Sequence, residues 1–157
     1  MADIKPPRSS GDDREVLLTL LRYLRESLAR KVSGIDDAAA LRSPVRSGTT
    51  LLWLVRHLTY AERIWIVHRF AGRGAPPADP APGTDTIDSA LAAYRQTWAE
   101  VDDVICAAST LDERSVIVYD DSHPTLRWIL AHLLEETARH AGHADILREL
   151  IDGATGR

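Results

Sequence analysis

Glu136, His140 and His143 lie close together near the carboxyl end of the chain, within the segment EETARHAGHADILRE. At about 100° per residue on a helix, Glu136 and His140 share the apolar stripe that Leu133 and Leu147 mark as core. Burying an ionised carboxylate is costly unless a hydrogen-bond donor, a cation or a metal ion compensates its charge. The pattern therefore indicates either a buried Glu136–His140 hydrogen bond or a binding site.

A third inward-facing histidine lies in the earlier segment LLWLVRHLTYAERIWIVHRF. Here His57 shares a helical stripe with Trp53, Leu54, Ala61 and Ile64. A lone histidine on an apolar face is usually a satisfied core residue, but helix bundles also build metal sites from carboxylates and histidines on facing helices. Three nitrogen and oxygen ligands leave one tetrahedral position open, as in catalytic zinc sites, and the same donors suit nickel or iron.

Periodicity leaves the ligand set open at this point. Glu136 and His140 are neighbours on one helix face, but so are His140 and His143, and either pair suits a single ion. A carboxylate buried outside the coordination shell would need a cationic partner, and the central stripe provides none. This favours Glu136 over His143 as the ligand.

Four segments have apolar residues at helical spacing, at about residues 12–32, 51–70, 86–107 and 124–152. The apolar face predicted for the first of these consists of Val16, Leu20, Tyr23, Leu24 and Leu28. The piece SVIVY at 115–119 has strand-like residues without a partner, and we expect an extended loop there. Four long helices without a credible sheet predict an all-α four-helix bundle.

The connection between the second and third predicted helices is unusually long. Residues 71–85 form a linker of 15 residues rich in Gly and Pro, which spans up to ~50 Å when extended. A helix of ~22 residues is only ~33 Å long. The linker is therefore long enough to run the length of the bundle, which predicts parallel second and third helices and an up-down-down-up order. We expect a flexible tail at 1–11 and one bundle domain at 12–153.

The composition limits the classes of function. The 157 residues have a net charge of −4 with interspersed charges, so no nucleic-acid-binding surface is indicated. No apolar run has the length of a membrane span, and the opening residues lack the apolar region of a signal peptide. Cys106 is alone, which excludes an intrachain disulfide and fits a reducing compartment. We expect a cytoplasmic protein, and the sequence allows a homodimer.

The segments LLWLVRHLTYAERIW and LRWILAHLLEETARHAGHADILRELIDG resemble the DinB-like four-helix superfamily. They are most similar to its actinobacterial branch of mycothiol S-transferases and mycothiol-dependent maleylpyruvate isomerases, over about residues 12–153. The resemblance implies a metal site formed by His57 on the second helix with Glu136 and His140 on the fourth. The family often has Gln at the position of His143, which leaves open whether His143 binds the metal or serves the substrate.

The resemblance implies metal-dependent transfer of a low-molecular-weight thiol, mycothiol, to an electrophilic small molecule. A metal-bound thiol deprotonates readily, and the thiolate is the nucleophile. His143 is the candidate catalytic residue, for proton transfer or for orienting the thiol. Two alternatives use the same site: a hydrolase in which the metal activates water, and a non-catalytic metal-binding or dimerising bundle.

The remaining histidines are predicted to be structural. We expect His132 to pack at the edge of the core stripe and His68 to be a surface or capping group. Asp120, Asp121 and His123 precede the fourth helix, where capping of its amino end explains them.

Overall fold

The computed structural model, which describes residues 4–78 and 85–155, is built from helices. The helices are α1 (Asp13–Val32), α2 (Asp37–Ala40), α3 (Leu51–Glu62), a π-helical segment (Arg63–Phe70) that continues α3, α4 (Ile87–Ala107) and α5 (Leu126–Asp152). Within the described ranges only isolated β-bridges occur, so the predicted all-α bundle is confirmed. None of the helices there combines the length and hydropathy needed to cross a membrane.

The long helices begin where side-chain caps are available. At each amino end a side-chain oxygen accepts a hydrogen bond from the backbone N–H three residues later. These caps are Asp12, Thr50, Thr86 and Thr125. At its carboxyl end, α5 stops at Gly153, whose φ of +76° is the left-handed conformation that glycine adopts without strain. The bounds predicted for the four long helices agree with the structure to within two residues.

Ion pairs between helices give the directions of the chain. From the start of α3 to the π segment, Arg56 and Arg63 pair with Asp85 and Glu100, at distances of 3.3 and 3.7 Å. The later arginine pairs with the later acid, so α3 with its π segment and α4 run in the same direction.

The other pairs complete the topology. Asp13 pairs with Arg127 at 2.7 Å and Lys31 with Asp145 at 2.6 Å, which makes α1 and α5 parallel. The α3 helix with its π segment is antiparallel to α5. His57 contacts Glu136, whereas Trp65, which follows His57 in the chain, contacts Trp128, which precedes Glu136. The up-down-down-up order is thus confirmed.

Part of the long linker returns along α3. Pro77 and Ala78 line a cavity together with Tyr60 of α3 and Ser89 of α4, so the chain has turned back beside the helix it has just left. Residues 79–84 of the predicted linker and residues 1–3 of the predicted tail lie outside the described residues.

The predicted inner face of α1 is wrong. Its buried residues include Leu18, Leu21, Arg25, Leu28 and Val32. Of the predicted face only Leu28 is buried, and the rest are partly exposed. The cause is Arg25, which occupies the centre of the true inner face although hydrophobic periodicity excludes an arginine from such a position.

Arg25 can be fully buried because two acidic side chains, Glu62 and Asp102, pair with its guanidinium. Its guanidinium donates two hydrogen bonds to Glu62, at 2.9 and 2.6 Å, and one to Asp102 at 2.7 Å. Tyr94 donates a further bond to Glu62 at 3.2 Å. Burial lowers the pKa of Arg25, but the charges of Glu62 and Asp102 outweigh it and raise the pKa, so Arg25 stays charged. The network joins α1, α3 and α4 where α3 passes into the π segment.

We expect Arg25→Met to lower the free energy of unfolding by about 3–5 kcal/mol, because Glu62 would remain buried without its cation. Urea denaturation measures the change. The control is Arg22→Met: Arg22 pairs with the same Asp102 at 2.7 Å but is half exposed, so its loss should cost at most about 1 kcal/mol. The double variant Arg25→Met/Glu62→Met should recover part of the lost stability. Equal, small losses for Arg25→Met and Arg22→Met would contradict a stabilising role for the buried pair.

Candidate metal centre

The first residue of the candidate site lies near the start of α3. The cap at Thr50 fixes the first turn by accepting the N–H of Trp53 at 3.0 Å, and His57 follows one turn later. The Trp53 indole stacks on the His57 imidazole with ring centroids 4.7 Å apart and an interplanar angle of 11°. The imidazole is thus held by its face, on the side of α3 that meets α5.

Glu136 and His140 face His57 from α5. The Nε2 atom of His57 lies 2.8 Å from Oε1 of Glu136, and Nε2 of His140 lies 3.1 Å from the same oxygen. The imidazoles of His57 and His140 meet edge to face at 4.7 Å. One donor atom from each of the three side chains lies within 4.8 Å of the other two. The structure therefore brings the three predicted ligands together across the α3–α5 interface.

The three side chains are shielded but not sealed from solvent. Their exposed fractions are 22% for His57, 15% for Glu136 and 10% for His140. Such partial burial strengthens electrostatic interactions within the cluster and leaves it open to a small molecule.

The electrostatics favour an ionised Glu136 and a neutral His140. Burial raises the pKa of Glu136, but hydrogen bonds and charge from His57 and His140 outweigh it and lower the pKa, so the carboxylate is ionised at neutral pH. Burial is also the main reason that the pKa of His140 is lowered, with a smaller contribution from His57. A carboxylate and a neutral imidazole are the forms in which these groups bind a metal ion.

One cation approaches the carboxylate from outside the cluster. Nη1 of Arg139 lies 3.4 Å from Oε2 of Glu136, at the limit of a hydrogen bond, while its Nη2 pairs with Glu135. Arg139 is half exposed. Arg139 lies outside the central stripe, so this contact agrees with the prediction that the stripe provides no cation for Glu136. Oε1, the oxygen shared by both histidines, faces no guanidinium among the contacts of the described residues.

His143 stands apart from the converging atoms. Its side chain is exposed on α5, and its Nδ1 lies 3.2 Å from Nδ1 of His140, on the opposite edge of that ring from Glu136. His143 thus contacts the candidate ligand His140 but is not one of the three side chains whose donor atoms converge.

The other histidines have structural contacts. His132 stacks on Trp128 at 5.2 Å and meets the edge of Trp65 at 5.0 Å. Nδ1 of His68 lies 3.2 Å from the Gly74 carbonyl oxygen. These contacts agree with the packing and surface roles predicted for the two residues.

The assignment of capping to Asp120, Asp121 and His123 is wrong, because Thr125 caps α5. Asp120 and Asp121 instead form a turn with φ of 45° and 59°. His123 contacts the Ser115 carbonyl oxygen through Nδ1 at 2.7 Å. These residues therefore shape the loop before α5.

Comparison with known proteins adds a family and a fold. The family model described as mycothiol-S-transferase matches residues 16–153. A crystal structure of a conserved protein from Enterococcus faecalis is similar over 92% of this chain and 100% of that chain, with a TM-score of 0.70 and 13% sequence identity. At that identity the likeness concerns the fold alone. No curated protein matches the chain.

Proposed function

Because the chain belongs to the mycothiol-S-transferase family, we propose that it is a divalent-metal-dependent enzyme that joins mycothiol to an electrophilic small molecule. The observation that supports this proposal most directly is the convergence of His57, Glu136 and His140 on one point between α3 and α5. We further propose that it acts in the cytoplasm, where thiols stay reduced.

The donor set fits a divalent cation. Two imidazole nitrogens and one carboxylate oxygen lie close enough to share an ion, and the carboxylate supplies negative charge. Three such ligands are typical of catalytic zinc sites with one open position, so zinc is our preferred metal, with nickel or iron compatible. When bound, the metal supplies a Lewis acid that stabilises the thiolate form of a thiol.

The side chains around this point have separate tasks in the proposed reaction. Trp53 holds the His57 ring in place and covers one of its faces. His143, exposed next to His140, is the candidate group for orienting the thiol or taking its proton.

The proposed reaction is a nucleophilic transfer. The thiol loses its proton, the sulfur electron pair forms the new C–S bond, and the leaving group departs with the electrons of the bond that breaks. With an unsaturated acid the sulfur adds to the double bond instead, and a proton adds at the neighbouring carbon.

A calorimetric titration of the zinc-loaded protein tests thiol recognition. We expect mycothiol to bind at least tenfold more tightly, by about 1.4 kcal/mol or more, than S-methyl mycothiol, which has the same body but no ionisable thiol. Metal retention with no affinity for either compound would contradict the proposal and favour a non-catalytic metal-binding bundle. Equal affinity for both compounds would contradict recognition through sulfur.

A further inference from the structure

Both nitrogens of the His140 ring have a partner. Nε2 lies 3.1 Å from Glu136 Oε1, inside the candidate metal centre, and Nδ1 lies 3.2 Å from Nδ1 of His143, outside it. His140 and His143 are three residues apart on α5, the spacing at which helical side chains become neighbours. The rings meet at an angle of 65° with centroids 5.2 Å apart, so this is an edge contact between nitrogens and not a stack.

A hydrogen atom must lie between the two Nδ1 atoms, because two nitrogen lone pairs at 3.2 Å would repel each other. A neutral imidazole has one N–H donor and one lone pair. Without a metal, the ionised Glu136 accepts the hydrogen of His140 Nε2, so His143 donates to Nδ1 of His140. If Nε2 of His140 instead presents its lone pair to a metal ion, the single hydrogen of that ring is on Nδ1. His143 must then accept it with the lone pair of its own Nδ1, and its own hydrogen is on Nε2.

The rings of His57 and His140 are held in place by different contacts. His57 has the Trp53 indole stacked flat against its ring, which restricts the ring by its face. His140 meets Trp53 only edge-on, with centroids 6.0 Å apart. The hydrogen bond to His143 is therefore the contact best placed to hold the His140 ring in the orientation in which Nε2 faces Glu136.

We propose that His143 is a positioning residue: in the metal-loaded protein its Nδ1 accepts the N–H of His140 and thereby holds the tautomer and ring orientation that present Nε2 to the metal. The inference rests on the metal site of the proposed function but not on the transfer reaction. It restricts the role of His143 towards a substrate to orienting the thiol through its Nε2–H, because neither ring nitrogen then has a free lone pair to take a proton. Hydrogen-bond partners of this kind typically contribute about 10- to 100-fold to metal affinity.

Two substitutions separate this role from simple packing. In His143→Asn the side-chain oxygen takes the place of Nδ1 on the same bond path from the backbone and still accepts a hydrogen bond. In His143→Leu the side chain has similar bulk and no acceptor. His143 is exposed, so both variants should fold, and their helicity by circular dichroism verifies this.

The experiment measures zinc affinity by competition with a chromophoric chelator. We expect His143→Leu to bind zinc about 10- to 100-fold more weakly than wild type and His143→Asn to stay within about threefold. In zinc-loaded wild type and His143→Asn, nitrogen NMR should show the His140 hydrogen on Nδ1 and exchanging slowly with water. In His143→Leu that exchange should be faster.

Four outcomes decide between the explanations. Zinc affinity in His143→Leu equal to wild type overturns the inference and leaves the metal site intact. Equal losses in both variants also overturn it, because the acceptor would then be irrelevant. A His140 hydrogen found on Nε2 in the zinc-loaded protein overturns it as well. Wild-type protein that binds no divalent metal overturns both this inference and the proposed function.

Discussion

Purified His57→Ala protein is expected to bind zinc more than ~100-fold more weakly than wild type while keeping nearly all of its helicity. Removing one of three protein ligands should weaken zinc binding by more than the ~10- to 100-fold that is usual when a hydrogen-bond partner of a ligand is removed. The fold should lose little, because the His57 side chain is 22% exposed and most single substitutions cost about 1 kcal/mol. Metal analysis after gel filtration and circular dichroism measure the two quantities.

His68→Ala provides a matched control for that variant. His68 lies on the π segment that continues α3, and its Nδ1 contacts a loop carbonyl oxygen rather than the acidic cluster. We therefore expect its zinc content to equal that of wild type. Equal zinc occupancy in His57→Ala and wild type would contradict the assignment of the whole site.

The pairing of Glu136 with His140 was predictable because it is local. Both residues are on one helix, and their spacing alone places them on the same face. The contact of His57 with Glu136 is different, since 79 residues separate the two along the chain. Periodicity shows that His57 faces inward, but only the family resemblance selects the helix and the turn that it meets.

The buried face of α1 was not predictable from local pattern. Arg25 is buried because its partners, Glu62 and Asp102, lie 37 and 77 residues away on other helices. An isolated arginine in an amphipathic segment is normally solvated. A periodicity argument therefore assigns it to the outer surface and rotates the predicted face away from the true one.

The π segment was missed for a related reason. Its sequence, RIWIVHRF, has helical spacing and no Gly or Pro to indicate a change of hydrogen bonding. Its carboxyl end is fixed by the predicted extended loop, where the N–H groups of Val116 and Ile117 donate to the carbonyls of Phe70 and Arg69. These long-range bonds give the loop the partner that the sequence did not reveal.

Removal of the metal should abolish most of the transferase activity. A free thiol with a pKa of ~8.5 is only ~3% thiolate at pH 7, so full ionisation alone accounts for ~30-fold in rate. We expect chelator-treated protein to lose at least this factor in conjugating mycothiol to a reactive model electrophile. Added zinc or nickel should restore the rate. The rate is measured as the loss of free thiol, and mass spectrometry identifies the conjugate.

Substituting each of two neighbouring acids shows whether the loss of activity is specific to the metal site. Glu136→Gln removes the carboxylate that both histidines contact, whereas Glu135→Gln changes an exposed acid that pairs with Arg139 on the helix surface. Because only Glu136 lies between the two imidazoles, only Glu136→Gln should reduce activity to the level of the stripped protein, with a matching loss of bound metal. Stripped protein as active as the metallated form would rule out metal-assisted thiolate formation. Equal losses in the two Gln variants would instead indicate that the general negative charge of this helix face, and not a ligand, supports the reaction.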